Sequence, residues 1–133
     1  MDNHRTKTCA RCLQPKLVEE FYLRLGKWLT SYCKECQKDI VYQSKVVLRD
    51  RQRKMVNALK DKPCMDCGEP HPPWAMDFDH RDPALKKFNV AEMTSKGLSD
   101  KHILAEIAKC DVVCALCHRY RTYGQKRSPT TLL

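Results

Sequence analysis

Hydrophobic and polar positions divide this 133-residue chain into a few short elements. Phe21-Tyr-Leu-Arg-Leu and Trp28-Leu-Thr-Ser-Tyr read as two strands of a hairpin that turns at Gly26. From 37 to 60 there is neither Gly nor Pro. Val41, Leu48, Met55 and Leu59 recur there at helical spacing, and Pro63 stops the pattern. Trp74, Met76 and Phe78 then alternate with smaller or polar residues up to His80, the period-two signature of a half-buried strand. After a loop, residues 86–90 read as its return strand. Ser99 is placed to cap a helix with Ile103, Leu104 and Ile107 on its inner side. A last helix opens at the cysteines 114 and 117 and fades at Gly124, and 125–133 reads as a polar tail. Outside four Cys-x-x-Cys pairs no internal repeat stands out.

Those pairs change the picture. Eight of the nine cysteines form Cys9/Cys12, Cys33/Cys36, Cys64/Cys67 and Cys114/Cys117. Two thiolates at that spacing grip one tetrahedral ion from a tight turn, so two pairs complete a four-sulfur zinc site. Between the first two pairs lie 20 residues, near zinc-ribbon spacing, and between the last two lie 46, enough for an insert. A single pair also suits a thioredoxin-like redox site. Four of them without a βαβ pattern point to two structural zinc ions instead, with Cys110 left over as a small packing residue. A modest core, with 42% hydrophobic residues and few aromatics, gives such staples a purpose. The expected fold class is a small, zinc-stabilised α+β protein. Residues 1–36 form a zinc-ribbon-like module, 37–62 a basic linking helix, 63–124 a second zinc-stapled domain and 125–133 a tail.

The formal charge is +9, from 25 Lys and Arg against 16 Asp and Glu. Residues 38–62 hold eight basic and three acidic side chains, with Arg49, Arg51, Arg53 and Lys54 clustered. A solvated helix face and a phosphate-binding stripe both give this pattern, and the basic bias of the whole chain brings in DNA as a partner. The longest apolar run, residues 112–117, is far below the ~20 residues that a membrane span needs. The first residues are polar and carry no signal-peptide pattern. The expectation is a cytoplasmic protein without membrane contact.

Asp79-His80 closes the expected strand, and His118 directly follows a zinc knuckle at a helix start. A carboxylate and an imidazole suit one divalent ion with positions open to water and phosphate. A second imidazole can take a proton from attacking water. With Lys and Arg nearby, this is equipment for metal-assisted phosphodiester hydrolysis. Asp77 should share Asp79's side of the strand, as an extra ligand or as a strand-edge carboxylate. Arg119 suits a scissile phosphate, and Arg121, Lys86 and Lys87 add positive charge for nucleic acid. Tyr120 and Tyr123 serve packing or base stacking. His4, His71 and His102 are assigned to no site.

The set Cys64-x-x-Cys67, Phe78-Asp79-His80 and Cys114-x-x-Cys117-His118-Arg119 resembles the HNH endonucleases, especially zinc-stapled phage and bacterial members. The resemblance covers residues 63–123. It implies a ββα-metal fold over 63–124, with His80 as general base and Asp79 and His118 as ligands of a catalytic Mg²⁺, Mn²⁺ or similar ion. The four cysteines of that domain then hold a zinc that does no chemistry. The function implied is a metal-dependent DNA endonuclease or nickase, located in the host cytoplasm if phage-encoded, and a homodimer if one site per chain is to cut both strands. The sequence departs from the family pattern at Lys109, nine residues before His118, where the family usually has the Asn that braces the general base. Asn89, on the expected return strand, is one substitute. The alternative reading is a non-catalytic zinc DNA-binding or adaptor protein on the same scaffold, and a redox sensor using the knuckles is a third.

Overall fold

A computed structural model describes residues 5–124, so His4 and the tail at 125–133 lie outside the described residues. The chain forms two compact units divided between Val47 and Leu48. It is a small mixed α/β protein whose described strands make three two-stranded antiparallel sheets. Among the described residues no helix is long and apolar enough to cross a membrane.

In the first unit β1 (Thr6–Thr8) pairs with β2 (Pro15–Leu17) around the Cys9/Cys12 knuckle. A 3₁₀ turn, Val18–Glu20, leads into β3 (Phe21–Arg24), which pairs with β4 (Trp28–Cys33) as the expected hairpin. Leu25 and Gly26 turn it with φ of 54° and 67°, the left-handed backbone that tight hairpins use. The core is Cys9, Phe21, Cys33 and Cys36, with Leu29 against it. A core this small leaves the unit dependent on a staple.

The expected long helix is α1 (Lys34–Leu59). It starts inside the second knuckle, ahead of the expected position 37, and the division after Val47 falls within it. Its C-terminal half packs Val56 and Met55 on Val90, Met93 and Ile103. Buried Gln52 donates to the Leu98 carbonyl at 2.7 Å and to Asp100 at 2.9 Å.

In the second unit another 3₁₀ turn, Pro73–Ala75, leads into β5 (Met76–His80). Its partner is β6 (Cys110–Cys114), in the register Met76↔Cys114, Asp79↔Asp111 and His80↔Cys110. The expected return strand at 86–90 does not form. Asn89 is the N-cap of α2 (Val90–Lys96), which buries Val90 and Met93 beside Val56, and α3 (Asp100–Ile107) follows Ser99. Burying Val90 and Met93 together, three residues apart, needs a helical turn rather than a strand. Val112, Val113 and Cys114 join Cys64 and Met76 in the other core cluster, and α4 (Ala115–Gly124) closes the unit.

The two units repeat one frame, a relationship visible in the sequence only as paired knuckles. Adding 55 to a residue number carries 9–24 onto 64–79, and adding 81 carries 31–42 onto 112–123. Backbone hydrogen bonds follow the shift. Leu13 N–H donates to the Cys9 carbonyl at 2.9 Å, as Gly68 does to Cys64 at 2.9 Å. Cys9 N–H donates to Gln14 at 3.0 Å, as Cys64 does to Glu69 at 3.0 Å. Ala10 N–H reaches the Ser31 carbonyl and Met65 N–H the Val112 carbonyl, both at 3.0 Å. In each unit the buried first residue of a strand, Phe21 or Met76, lies opposite a knuckle cysteine, Cys33 or Cys114. The second unit differs by the long segment between β5 and β6 that carries α2 and α3.

Candidate metal centres and the acid–imidazole cluster

Each unit gathers its four knuckle sulfurs. Cys9, Cys12, Cys33 and Cys36 form one set, and Cys64, Cys67, Cys114 and Cys117 the other, with the ligand atoms of each set within 4.8 Å of one another. All nine cysteines, Cys110 included, are free thiols. In both sets the first sulfur accepts the backbone N–H of the third cysteine at 3.2 Å, Cys33 to Cys9 and Cys114 to Cys64. Burial pushes the Cys9 and Cys64 thiols up, but backbone N–H groups outweigh it and hold both at about 6. Hydrogen bonding to a neighbouring sulfur, helped by burial, pushes Cys36 and Cys117 up to about 12. Four sulfurs this close ionise together only around a cation, and a four-thiolate tetrahedron is a zinc donor set. Both sets can hold structural zinc.

The second staple fixes β5 against the start of α4. Cys64 opens the knuckle, Cys114 ends β6 and Cys117 lies in the first turn of α4, one residue before His118. Along β5 side chains alternate between faces. Asp77 and Asp79 project to the face where His118 lies: His118 Nδ1 is 3.0 Å from Asp77 Oδ2, and Nε2 is 3.5 Å from Asp79 Oδ1. Both strand carboxylates thus address one imidazole. Asp79 is also held from behind, because Arg121 Nη1 donates to Asp79 Oδ2 and to Asp111 Oδ2, each at 3.0 Å. Arg121 Nε completes the cross-link to Asp66, inside the zinc knuckle, at 2.7 Å. Those hydrogen bonds hold the Asp66 carboxyl below its ordinary range and push Arg121 further up. Among the described residues, only the two cysteine sets bring three or more ligand atoms within 4.8 Å of one another.

His80 leaves β5 on the other face, so the structure does not set it against His118. Its Nε2 lies 2.8 Å from Glu106 Oε1, with side-chain exposures of 7% and 4% for the pair. Glu106 is the best-satisfied carboxylate in the unit. It accepts from Lys109 Nζ at 2.7 Å and from the backbone N–H groups of Lys87 and Phe88 at 2.8 and 3.4 Å. Burial alone would push it up, but the donors from Lys109, Lys87, His80 and Phe88 outweigh burial and hold it at about 2. Lys109, the residue at the position of the family's Asn, is thus tied to His80 through Glu106, while Asn89 bonds Glu92 at 3.2 Å within α2.

The basic residues divide into paired and unpaired groups. Arg51 bonds Asp100 at 2.8 Å and Lys54 bonds Asp50 at 2.8 Å. Arg49, Lys86, Lys87 and Arg119 are exposed. Arg53 and Lys60 line a groove of about 620 Å³ that also includes Asn57, Asn89, Asp77 and His118. Arg121 is committed to its three carboxylates. Sequence reasoning missed Glu106, Asp66 and Asp111. Asp111 carried a signal, since it faces Asp79 once β6 is recognised as the partner strand. Glu106 carried none.

No protein-family model, curated protein or solved structure matches this chain.

Proposed function

We propose that the second unit is the active centre of a metal-dependent DNA endonuclease or nickase of the HNH type, with a ββα-metal arrangement made by β5, β6 and α4. The observation that carries this reading is the convergence of Asp79 and His118, one at a strand end and one at a helix start, between elements joined by four cysteines and by Arg121. A carboxylate oxygen and an imidazole nitrogen are a suitable donor pair for Mg²⁺, Mn²⁺ or a similar ion, with Asp77 orienting His118 through the other ring nitrogen. When bound there, such an ion supplies charge neutralisation for a phosphodiester. Asp79 and His118 would hold it, and Arg121 keeps Asp79 in place. His80, the next residue at the end of β5, would serve as the base toward water through Nδ1, its Nε2 being held by Glu106, and this requires its ring to turn out from the face opposite Asp79. Arg119 reaches solvent on α4, where a guanidinium can clamp the same phosphate. Arg53 and Lys60, in the groove that ends at His118, guide the DNA backbone.

The test is plasmid nicking by the zinc-loaded protein with Mg²⁺, Mn²⁺, Co²⁺ or Ni²⁺ added in turn. Cleavage that depends on the added ion and falls about 10²–10⁴-fold in His80→Ala supports the reading. No cleavage with any of these ions rejects it.

One observation favours a second reading, a non-catalytic zinc DNA-binding protein. The nearly buried His80–Glu106 pair and the Arg121 bridge across Asp79 are also what a purely structural use of these residues would produce. In that case the wild type and His80→Ala bind DNA equally and neither cuts it.

A further inference from the structure

The shared frame makes it possible to ask what the first unit has at the positions where the second has its acid–imidazole cluster. The shift of 55 aligns Tyr22 with Asp77 and Arg24 with Asp79 along the chain, although β3 shifts its pairing between Phe21 and Leu23 where β5 does not. The shift of 81 places Gln37 at the position of His118, Lys38 at that of Arg119 and Tyr42 at that of Tyr123. Two carboxylates and an imidazole are thus replaced by a phenol, a guanidinium and an amide. A set of cation ligands has become a set with no carboxylate and an added positive charge, on a similar zinc-stapled strand and helix.

The surface around these positions fits the change. The second unit's groove includes Asp77 and His118, and the first unit has a groove of about 420 Å³ that includes their counterparts, Tyr22 and Gln37. Lys38, Val41, Tyr42 and Lys45 complete its lining, and no carboxylate contributes. Gln37, Lys38, Val41, Tyr42 and Lys45 follow one another along one face of α1, the i, i+4, i+8 stripe of a helix. Tyr42 is 63% and Tyr22 41% exposed. Lys34 Nζ stands 5.5 Å from the centroid of the Tyr22 ring, so a third cation borders the same surface. Exposed aromatic rings set among lysines are the surface that a nucleic-acid strand requires: rings for base faces and ammonium groups for phosphates.

We propose that the first unit is a second copy of the zinc-stapled strand–helix frame, converted from cation ligation to polyanion binding, and that its Tyr22–Tyr42 groove holds a single strand of DNA. Phosphates lie against Lys38 and Lys45, and an unpaired base stacks on Tyr42. The site binds and does not cut, because it has neither a carboxylate pair nor an imidazole. This goes beyond the catalytic reading and does not need it, since binding is read without cleavage.

The experiment is fluorescence anisotropy of a labelled single-stranded oligonucleotide with the full, zinc-loaded chain, over a series of salt concentrations and without added divalent ions. A duplex of the same sequence and heparin serve as competitors. Tyr42→Ala is expected to weaken single-strand binding about tenfold, with a smaller effect on the duplex. The double variant Lys38→Gln/Lys45→Gln is expected to lower the slope of log affinity against log salt by about 1.4, the share of two phosphates on a single strand. These side chains are exposed, and two zinc ions retained per chain will show that the variants are folded. Failure of the wild type to bind the single strand overturns the proposal, as does binding that neither variant weakens. A lysine effect without a tyrosine effect, with heparin competing as well as DNA, also overturns it, because a bare charged surface behaves that way. Binding as described by a protein that cuts nothing leaves this proposal standing and removes the nuclease reading.

Discussion

Asp79 and His80 are consecutive in β5, yet their side chains are held by different machinery on opposite faces of the strand. Asp79 lies 3.5 Å from His118 and is bonded by Arg121, whereas His80 bonds Glu106 at 2.8 Å. Glu106, held at about 2, is ionised at neutral pH and can only accept. His80 Nε2 must therefore be the donor in that bond, which leaves Nδ1 as the nitrogen with a lone pair whenever the ring is neutral.

The first prediction concerns Glu106. Its carboxyl lies below the ordinary value of 4.5, so its contribution to stability is fully present above about 4.5 and is lost as pH falls through that value toward about 2. Glu106→Gln removes the charge that the donors from Lys109, Lys87 and His80 converge on. The expected cost at pH 7 is about 2 kcal/mol. Chemical denaturation of wild type and variant should show that gap narrowing as pH drops from 5 to 3. A gap that stays constant over this range would show that the charge of Glu106 contributes nothing.

Arg119 and Arg121 stand two residues apart on α4 but should behave differently. Arg121 bonds Asp66, Asp79 and Asp111, so Arg121→Gln leaves three carboxylates close together without their cation. At its partial exposure the expected loss is about 1–2 kcal/mol, with little change in the salt dependence of DNA binding. Arg119→Gln should do the reverse: stability unchanged, and the salt slope reduced by about 1. Thermal melts and binding isotherms of the two variants, measured side by side, decide the matter.

Zinc removal gives a third prediction. Cys36 and Cys117 hold their protons up to about 12 in the metal-free frame, while Cys9 and Cys64 lose theirs above about 6. Zinc uptake at pH 7.5 must then expel protons from the high-lying thiols, and the apparent affinity should rise with pH. Titration calorimetry in buffers of different ionisation enthalpy will measure the release. Metal analysis should return two zinc ions per chain, and a strong chelator should unfold both units. A protein that keeps its structure without zinc would return the knuckles to redox chemistry.

The sequence was most readable where a local rule sufficed. Cysteine spacing predicts which thiols meet, because two short knuckles leave little freedom. Alternation at Trp74, Met76 and Phe78 predicts β5, and the unbroken 37–60 stretch predicts α1. Pairing was less readable. Residues 86–90 have the composition of a strand and lie closer to β5 in sequence, but β6 comes from 110–114, where a run continuous with the knuckle hides the strand. The meeting of Asp79 with His118 was legible through the two knuckles that hold them. The meeting of His80 with Glu106 was not, because α3 is positioned by apolar contacts of Ile103 and Ile107 that say nothing of a carboxylate one turn away. The frame repeat was hidden for a similar reason. Its two halves obey different numerical shifts, and what they share beyond the cysteines is backbone hydrogen bonding rather than side chains.

That repeat yields the last prediction. Leu13 and Gly68 occupy the same place, the residue after the second cysteine of a knuckle, with φ of 59° and 74°. Each donates its N–H to the first cysteine's carbonyl at 2.9 Å, so the left-handed backbone is imposed by the knuckle and not by the residue. Gly adopts it freely, whereas a residue with a Cβ is strained by about 1–2 kcal/mol. Leu13 is 74% exposed and gives up almost no packing when removed. Leu13→Gly should therefore raise the stability of the first unit by about 1 kcal/mol. Gly68→Leu should lower that of the second by about the same amount, although a Cβ there would meet nothing within 4 Å. Denaturant midpoints of the zinc-loaded variants will show the two shifts. Changes of the same sign in both would mean that the two knuckles do not share one backbone.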